Sequence, residues 1–130
     1  MSPPAAARNA GVVEKILVVE DDELLREALA IWLEGEGYAP VEAANGAAAL
    51  HQLRSSERFC LILLDLFMPV MDGWAFRAEQ LRDRDIASIP VIVISADASM
   101  DGKAATLGAV AFLAKPVDFD KLQRHVSEHC

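Results

Sequence analysis

The chain has 130 residues, of which 53% are hydrophobic, and its formal net charge is −8. This length is typical of one domain whose core needs no disulfide or metal, and the hydrophobic fraction excludes a disordered chain. The acidic balance argues against direct binding of nucleic acid, and no apolar stretch reaches the roughly 20 residues that span a membrane. Because the first residues also lack the order of a secretion signal, we expect a cytoplasmic protein.

Short apolar runs alternate with helical patterns after a leader, residues 1–13, that is rich in Pro and Ala and is expected to be flexible. We assign residues 14–130 to one domain. The apolar runs predict strands at Ile16–Val19, Ala39–Ala43, Cys60–Leu64, Val91–Ile94 and Val110–Leu113. Apolar residues at helical spacing predict helices around Leu25–Trp32, Ala47–Leu53, Trp74–Arg82, Ser99–Leu107 and Phe119–Val126. Gly102 costs the fourth helix roughly 1 kcal/mol relative to Ala, so we expect that helix to be marginal.

The alternation of strands and helices predicts a (βα)₅ domain with a parallel sheet that is covered on both faces. Right-handed crossovers place the carboxyl ends of parallel strands on the same edge of the sheet. Polar residues stand at or just past four of these strand ends: Glu20 and Asp21, Asp65, Ser95 and Lys115. We therefore expect these five side chains to lie close together.

This set of side chains has the chemistry of a phosphoryl site. Three crowded carboxylates raise one another's pKa unless a cation intervenes, and hard oxygen ligands favour Mg²⁺ or Ca²⁺. An ammonium and a hydroxyl can bind phosphoryl oxygens, and Asp65 can be the nucleophile that forms an acyl phosphate. Two simpler interpretations stay open, since Asp21 or Asp22 could cap the first helix and Lys115 could be a solvated side chain. No glycine-rich phosphate loop supports nucleotide binding.

Four stretches carry a resemblance to a known family: ILVVEDD at 16–22, LDLFMPVMDG at 64–73, VISA at 93–96 and FLAKP at 112–116. With them, residues from about Lys15 to Glu128 resemble a response regulator receiver domain of the CheY-like superfamily. The resemblance implies a flavodoxin-like three-layer α/β sandwich with five parallel strands in the order 2-1-3-4-5. It also implies a phosphoacceptor protein and not an enzyme.

The resemblance implies that Asp65 accepts a phosphoryl group from a histidine kinase or a histidine phosphotransfer protein. It further implies that Mg²⁺ is bound by Asp21, by Asp65 and by the backbone carbonyl of Phe67, while Glu20 holds waters of the ion.

For the rest of the site the resemblance implies three groups. Residues that contact the phosphoryl group or sense it are Ser95, Ala96 and Lys115, with Phe112 as the switch aromatic that turns inward when Ser95 moves. Residues that shape the loops are Pro69, Gly73 and Pro116, and the bond between Lys115 and Pro116 is expected to be cis.

The resemblance places the output surface on the fourth helix, fifth strand and fifth helix, facing an unknown downstream protein. Because the chain ends soon after the fifth helix, we expect a stand-alone receiver, as a monomer or a phosphorylation-dependent dimer. The alternatives are a Mg²⁺-dependent phosphohydrolase with an Asp nucleophile, a binding module independent of phosphorylation, and a DNA-binding regulator. The acidic charge and the missing output domain oppose the last of these.

Two residue types lead to separate expectations. Phe67, two residues after the acceptor, stands where many family members have a polar side chain, and we hypothesise that it slows self-dephosphorylation by limiting the approach of water. The two cysteines, Cys60 and Cys130, are expected to be unbonded, because Cys60 lies in an apolar strand and the setting is taken as cytosolic.

Overall fold

The computed structural model describes residues 13–55 and 57–130. Apart from Val13, the leader predicted at residues 1–13 lies outside the described residues. Within the described part of the chain, no helix is long and apolar enough to cross a membrane.

Five parallel strands form one sheet in the order β2-β1-β3-β4-β5, as the family resemblance implied. The strands are β1 (Lys15–Val19), β2 (Ala39–Ala43), β3 (Leu61–Asp65), β4 (Val91–Ser95) and β5 (Ala111–Ala114). We call the edge where the strands end the carboxyl edge and the edge where they begin the amino edge. The predicted third strand stopped at Leu64, whereas β3 includes Asp65 itself, which is paired in register with Ile94 of β4.

Five α-helices connect or follow the strands. They are α1 (Glu23–Gly35), α2 (Gly46–Leu53), α3 (Gly73–Arg82), α4 (Asp101–Thr106) and α5 (Phe119–His129), and a 3₁₀ turn, Ala98–Met100, precedes α4. Four of the five begin at a side chain that accepts hydrogen bonds from the first turn, namely Asp22, Asn45, Asp72 and Asp118. The exception is α4, which has six residues and no side-chain cap. This agrees with the marginal helix that the sequence predicted.

The sheet is covered on both faces, because the central strands β1, β3 and β4 are apolar at successive positions. Alternate residues such as Leu17 and Leu64 pack against α2, α3 and α4. The residues between them, such as Ile16 and Leu63, pack against α1 and α5. The result is the expected three-layer sandwich.

A disulfide joins Cys60 and Cys130, so the expectation of two unbonded cysteines is wrong. Cys60 directly precedes β3 at the amino edge, and α5 returns the chain from the carboxyl edge to the same place. The two Cα atoms are therefore 5.3 Å apart, within the usual range for a disulfide, although 70 positions separate them in the sequence.

Candidate functional site

The strand ends bring the predicted polar side chains together at the carboxyl edge. Asp65 and Ser95 are the last residues of β3 and β4, and Ser95 is paired in register with Ala114 of β5. Lys115 follows directly, and its backbone N–H donates to the Ser95 carbonyl at 2.9 Å. The position of Lys115 thus depends on the register of β5 against β4.

The acidic residues form one cluster. Carboxylate oxygens of Glu20, Asp21 and Asp65 lie within 4.8 Å of one another, with Glu20 and Asp65 buried and Asp21 exposed. The helix cap is a different residue, since Oδ1 of Asp22 accepts from the backbone N–H groups of Leu24 and Leu25 at 3.1 and 3.4 Å. Of the two capping candidates, Asp22 caps α1, which leaves Asp21 to the cluster.

The ammonium of Lys115 lies between the two buried carboxylates. Its Nζ is 2.7 Å from Oε1 of Glu20 and 3.6 Å from Oδ2 of Asp65. The second oxygen of Glu20 accepts from the backbone N–H of Asp22 at 3.0 Å. Lys115 is therefore paired more closely with Glu20 than with the predicted phosphoacceptor.

The carboxyl group of Asp65 has a strongly shifted pKa. Burial, and then the charge of Glu20, raise the pKa of Asp65 from 3.8 to about 7, although Lys115 and the Phe67 N–H act in the opposite direction. Burial disfavours the charged form of Lys115, but its hydrogen bond to Glu20 and the charge of Asp65 outweigh burial and raise its pKa. The site therefore holds more negative charge than one ammonium stabilises.

A small, hard divalent cation fits this donor set. The cluster offers only carboxylate oxygens and two of its three members are buried. The raised pKa of Asp65 comes first from burial and then from the charge of Glu20, and a bound cation would offset both by favouring the charged carboxylate. Mg²⁺ prefers such oxygen ligands and takes one or two carboxylates while keeping several waters.

The predicted phosphoryl-contacting and switch residues occupy different environments. Ser95 is fully buried, and its Oγ accepts from the backbone N–H of Asp97 at 3.2 Å. Ala96 is exposed next to it. Phe112 on β5 is half-buried and packs against the core cluster on the α2–α4 side of the sheet.

The loop after Asp65 approaches α3 closely at Gly73. A Cβ atom at position 73 would lie 2.7 Å from the Cα of Leu66 and 2.8 Å from the Asp65 carbonyl oxygen, so a side chain there would displace backbone. Gly73 thus brings the N-terminus of α3 against the end of β3.

Two other features mark the loops of the site. Val70 has a φ of 69°, a left-handed conformation that is unfavourable for a β-branched residue, beside a backbone bond from the Met71 N–H to the Pro69 carbonyl at 2.7 Å. The peptide bond between Lys115 and Pro116 is cis, as the resemblance implied.

Phe67 is partly exposed and contacts an aromatic residue of α3. Its ring centroid is 5.3 Å from that of Trp74 in an edge-to-face arrangement, and 50% of the residue is accessible to solvent. The backbone N–H of Phe67 donates to Oδ1 of Asp65 at 3.3 Å. The side chain thus lies at the surface against Trp74, while the backbone of Phe67 contacts Asp65.

Two residues of the site were not predicted. Arg26 donates from Nη1 to the backbone carbonyl of Glu20 at 2.9 Å and pairs through Nε with Glu42 at 3.2 Å. The N–H of Gly46 donates to the Met71 carbonyl at 3.1 Å, and a Cβ atom at position 46 would come within 2.7 Å of Met71. Arg26 lies one turn after the α1 cap, so its position in the sequence could have suggested a place at the carboxyl edge.

The fold and the acidic pocket are those of a receiver domain. Residues 16–127 match the response regulator receiver domain, and the chain therefore belongs to this family. It is 41% identical over 117 residues to the transcriptional regulatory protein ZraR of Klebsiella oxytoca, an alignment that covers 87% of the chain and 25% of ZraR. A second transcriptional regulatory protein is covered over 53% of its length, so the chain spans about half or less of these curated relatives.

Solved receiver structures share the fold over nearly their whole length. A response regulator receiver protein from Pseudomonas putida superposes with a TM-score of 0.83 at 30% identity, covering 92% of this chain and 99% of that one. The response regulator TrrA from Thermotoga maritima, in complex with Mg²⁺-BeF, superposes with a TM-score of 0.80 at 28% identity. The superposition covers 91% of this chain and 100% of that one.

Proposed function

We propose that this receiver domain is a phosphoacceptor switch of a two-component or phosphorelay system, with Asp65 as the acceptor. The observation that carries the proposal is the buried Asp65 carboxylate, which ends β3 beside Glu20, Asp21 and the Lys115 ammonium. Domains of this family partner with histidine kinases and are generally phosphoacceptors rather than catalytic enzymes. The proposal follows from that membership and from the charges around Asp65.

In the transfer step, a carboxylate oxygen of Asp65 attacks the phosphorus of a phosphohistidine or of a small acyl phosphate. The bond between phosphorus and the donor's nitrogen or oxygen breaks, the donor leaves with the electron pair, and Asp65 becomes an aspartyl phosphate. Lys115 balances negative charge on the phosphoryl oxygens, and the Ser95 hydroxyl donates a hydrogen bond to them.

Four residues would hold Mg²⁺ at this site. Asp21, Asp65 and the backbone carbonyl of Phe67 would be ligands, and Glu20 would hold waters of the ion. When bound, Mg²⁺ supplies positive charge that stabilises the phosphoryl oxygens during transfer. The Thermotoga relative is in complex with Mg²⁺-BeF, which supports Mg²⁺ as the ion.

The response to phosphorylation would begin at Ser95, Ala96 and Lys115, which surround the new phosphoryl oxygens. A phosphoryl group adds about 1.5 to 2 negative charges and three acceptor oxygens. Phe112 would turn inward as Ser95 moves, and the surface formed by α4, β5 and α5 would change. The short, uncapped α4 supports this route, because an element of low stability shifts most readily between two arrangements.

The partners follow from the same function. We infer a histidine kinase or histidine phosphotransfer protein as the donor and a protein as the downstream target, bound through the α4-β5-α5 surface. The charged residues available on that surface include Asp101, Lys103, Lys121 and Arg124. We further propose that the domain acts in the cytoplasm, as a monomer or as a dimer that forms on phosphorylation.

Phosphorylation from a small donor tests the proposal directly. Wild type, Asp65→Asn and Asp85→Asn are incubated with acetyl phosphate and Mg²⁺, and intact mass is measured. Asp85 is an exposed carboxylate at the amino edge, so its substitution is the matched control. We expect one added phosphoryl group on wild type and Asp85→Asn, none on Asp65→Asn, and none on any variant when EDTA replaces Mg²⁺.

Other results would favour the alternatives. No phosphoryl gain on wild type would indicate a binding module that is independent of phosphorylation. Release of many phosphates per protein without an accumulated adduct would indicate a phosphohydrolase. Against the latter stands Phe67, which follows Asp65 by two positions and has no proton to donate to a leaving group.

A further inference from the structure

The chain has two cysteines, and both are in the disulfide between Cys60 and Cys130. This bond lies at the amino edge of the sheet, at the opposite end of β3 from Asp65. We propose that Cys60 and Cys130 are a reversible thiol–disulfide site, whose redox state decides whether the last turn of α5 is fixed to the sheet.

The two cysteines differ in how firmly the backbone holds them. The N–H of Cys60 donates to the Lys15 carbonyl at 2.9 Å, so Cys60 belongs to the hydrogen-bonded sheet. The N–H of Cys130 donates to the Val126 carbonyl at 2.9 Å, which is a bond within the last turn of α5. Without the disulfide, that turn keeps its own helical bonds and the buried Val126 as its anchor. The last turn of a helix frays when so little holds it.

Both cysteines are accessible enough for exchange, because each is half-buried and neither is enclosed in the core. A disulfide compound such as glutathione disulfide is the class of oxidant that fits. A thiolate of one cysteine attacks a sulfur of the oxidant, breaking its S–S bond and releasing one glutathione thiol. The second cysteine then attacks the mixed disulfide and releases the other glutathione thiol. The protein loses two electrons and two protons, which the two glutathione thiols carry, and reduction reverses each step.

The consequence for signalling rests on the proposed function, because it takes α5 as part of the output surface. The cross-link is outside the pocket of Glu20, Asp65 and Lys115, so phosphoryl uptake by Asp65 is expected to be the same in both redox states. The redox state instead changes how firmly the helical conformation of α5 is held around residues 126–130. Failure of the redox proposal and failure of the phosphoacceptor proposal are therefore seen in separate measurements.

The first experiment measures the pairing. The purified full chain is equilibrated in buffers of reduced and oxidised glutathione, with EDTA present because Glu14 and the two sulfur atoms form a possible metal-binding group. N-ethylmaleimide then labels free thiols, and intact mass counts the labels. We expect two labels at the reducing end, none at the oxidising end, and a monomer throughout.

The second experiment measures the structural effect by hydrogen exchange and thermal melting in the same buffers. Reduction is expected to speed exchange in residues 119–130 and to lower Tm by roughly 5 to 15 °C, with little change in exchange elsewhere. Cys130→Ser and Cys60→Ala are the matched controls. Each is expected to resemble the reduced wild type in both buffers.

Several results would overturn the proposal. These are two labels or a stable mixed disulfide in the oxidising buffer, a disulfide-linked dimer, or equal exchange of residues 119–130 in the two states. Once Mg²⁺ replaces the EDTA, equal acetyl phosphate labelling of Asp65 in both states is expected, and a loss of labelling on reduction alone would contradict the separation of the two sites.

Discussion

The two edges of one sheet use buried polar groups in opposite ways. At the amino edge, the buried guanidinium of Arg77 donates hydrogen bonds to neutral oxygens of the described residues. These are the backbone carbonyls of Leu107 and Gly108, at 2.9 and 3.4 Å, and Oε1 of Gln80, at 2.7 Å. Gln80 in turn donates to carbonyls of the loop before β4. At the carboxyl edge, Asp65 lies beside another buried carboxylate and has a pKa raised to about 7.

This difference separates a buried charge that stabilises the fold from one that belongs to the candidate site. Arg77 joins the ends of α3 and α4 in a network whose hydrogen bonds are satisfied, so it contributes to stability. Asp65 is held in a place that disfavours its own charge, so a bound cation would stabilise its charged form. In this protein, a buried charge with satisfied hydrogen bonds belongs to the packing, whereas the buried carboxylate next to a like charge marks the candidate site.

Gly73→Ala tests how closely the carboxyl edge is packed. Because the new Cβ would meet backbone atoms of Leu66 and Asp65 at 2.7 and 2.8 Å, we expect a loss of about 2–4 kcal/mol in the free energy of unfolding. Urea denaturation measures it. The control is Gly102→Ala, where nothing lies within 4 Å, and this change should stabilise by up to about 1 kcal/mol. Equal effects of the two changes would contradict the close contact.

Arg77→Met tests the satisfied network of the amino edge. The change removes the Arg77 donor from the carbonyls of Leu107 and Gly108 and from Oε1 of Gln80, so we expect a loss of about 2–3 kcal/mol in the same assay. Arg82→Met on the same helix is the control, since the Arg82 side chain is 75% exposed and forms only a surface pair. A loss no larger than that of the control would mean that the network contributes nothing.

Asp65→Asn tests the disfavoured charge of the carboxyl edge. Because the folded pKa is raised from 3.8 to about 7, the folded state binds the proton more tightly than the unfolded state. That stabilising contribution is present below pH 4 and is lost as the pH rises to about 7. Without Mg²⁺, the free energy of unfolding of Asp65→Asn should therefore rise relative to that of wild type as the pH increases, on the order of 1 kcal/mol per pH unit. Denaturation at several pH values between 4 and 8 measures this difference, and a difference independent of pH would contradict it.

Val70→Asn tests the backbone strain beside the pocket. Val70 is 84% exposed with a φ of 69°, and Asn tolerates the left-handed region far better than a β-branched residue. We expect a gain of about 1 kcal/mol in unfolding free energy. The same change at Val110, which has no positive φ, should be neutral or destabilising.

Phe67→Asn has the smallest expected effect. If the Phe67 ring limits the approach of water to the phosphorylated Asp65, the variant should lose its phosphoryl group a few times faster, a difference of about 1 kcal/mol or less. Trp74→Leu, which removes the ring partner of Phe67, is a second variant that should free the Phe67 side chain. Equal rates of phosphoryl loss from wild type and Phe67→Asn would exclude this role.

Much of the fold could be predicted, because its causes are local. The apolar strands, the helical spacing from Leu25 and the marginal α4 around Gly102 follow from residues that are neighbours in sequence. It could also be predicted that Glu20, Asp65, Ser95 and Lys115 lie close together, because parallel strands with right-handed crossovers end at the same edge of the sheet. The strand order 2-1-3-4-5 came only through the family resemblance.

The pairing of Lys115 with Glu20, the Arg77 network and the Cys60–Cys130 bond could not be predicted in the same way. Each depends on distances of a few ångströms between elements that are far apart in the chain. Of these three features, the disulfide is the most accessible to prediction, since a helix that follows β5 must end at the amino edge where Cys60 lies.

The sequence by itself determined the alternation of strands and helices and the set of chemical groups at the carboxyl edge, because hydrophobic periodicity and strand direction are properties of local sequence. Only the tertiary structure decided which charges touch. The pKa of Asp65 depends on its burial and on its distance from Glu20 and Lys115, and those are set by the pairing of β1 with β3, of β3 with β4 and of β4 with β5.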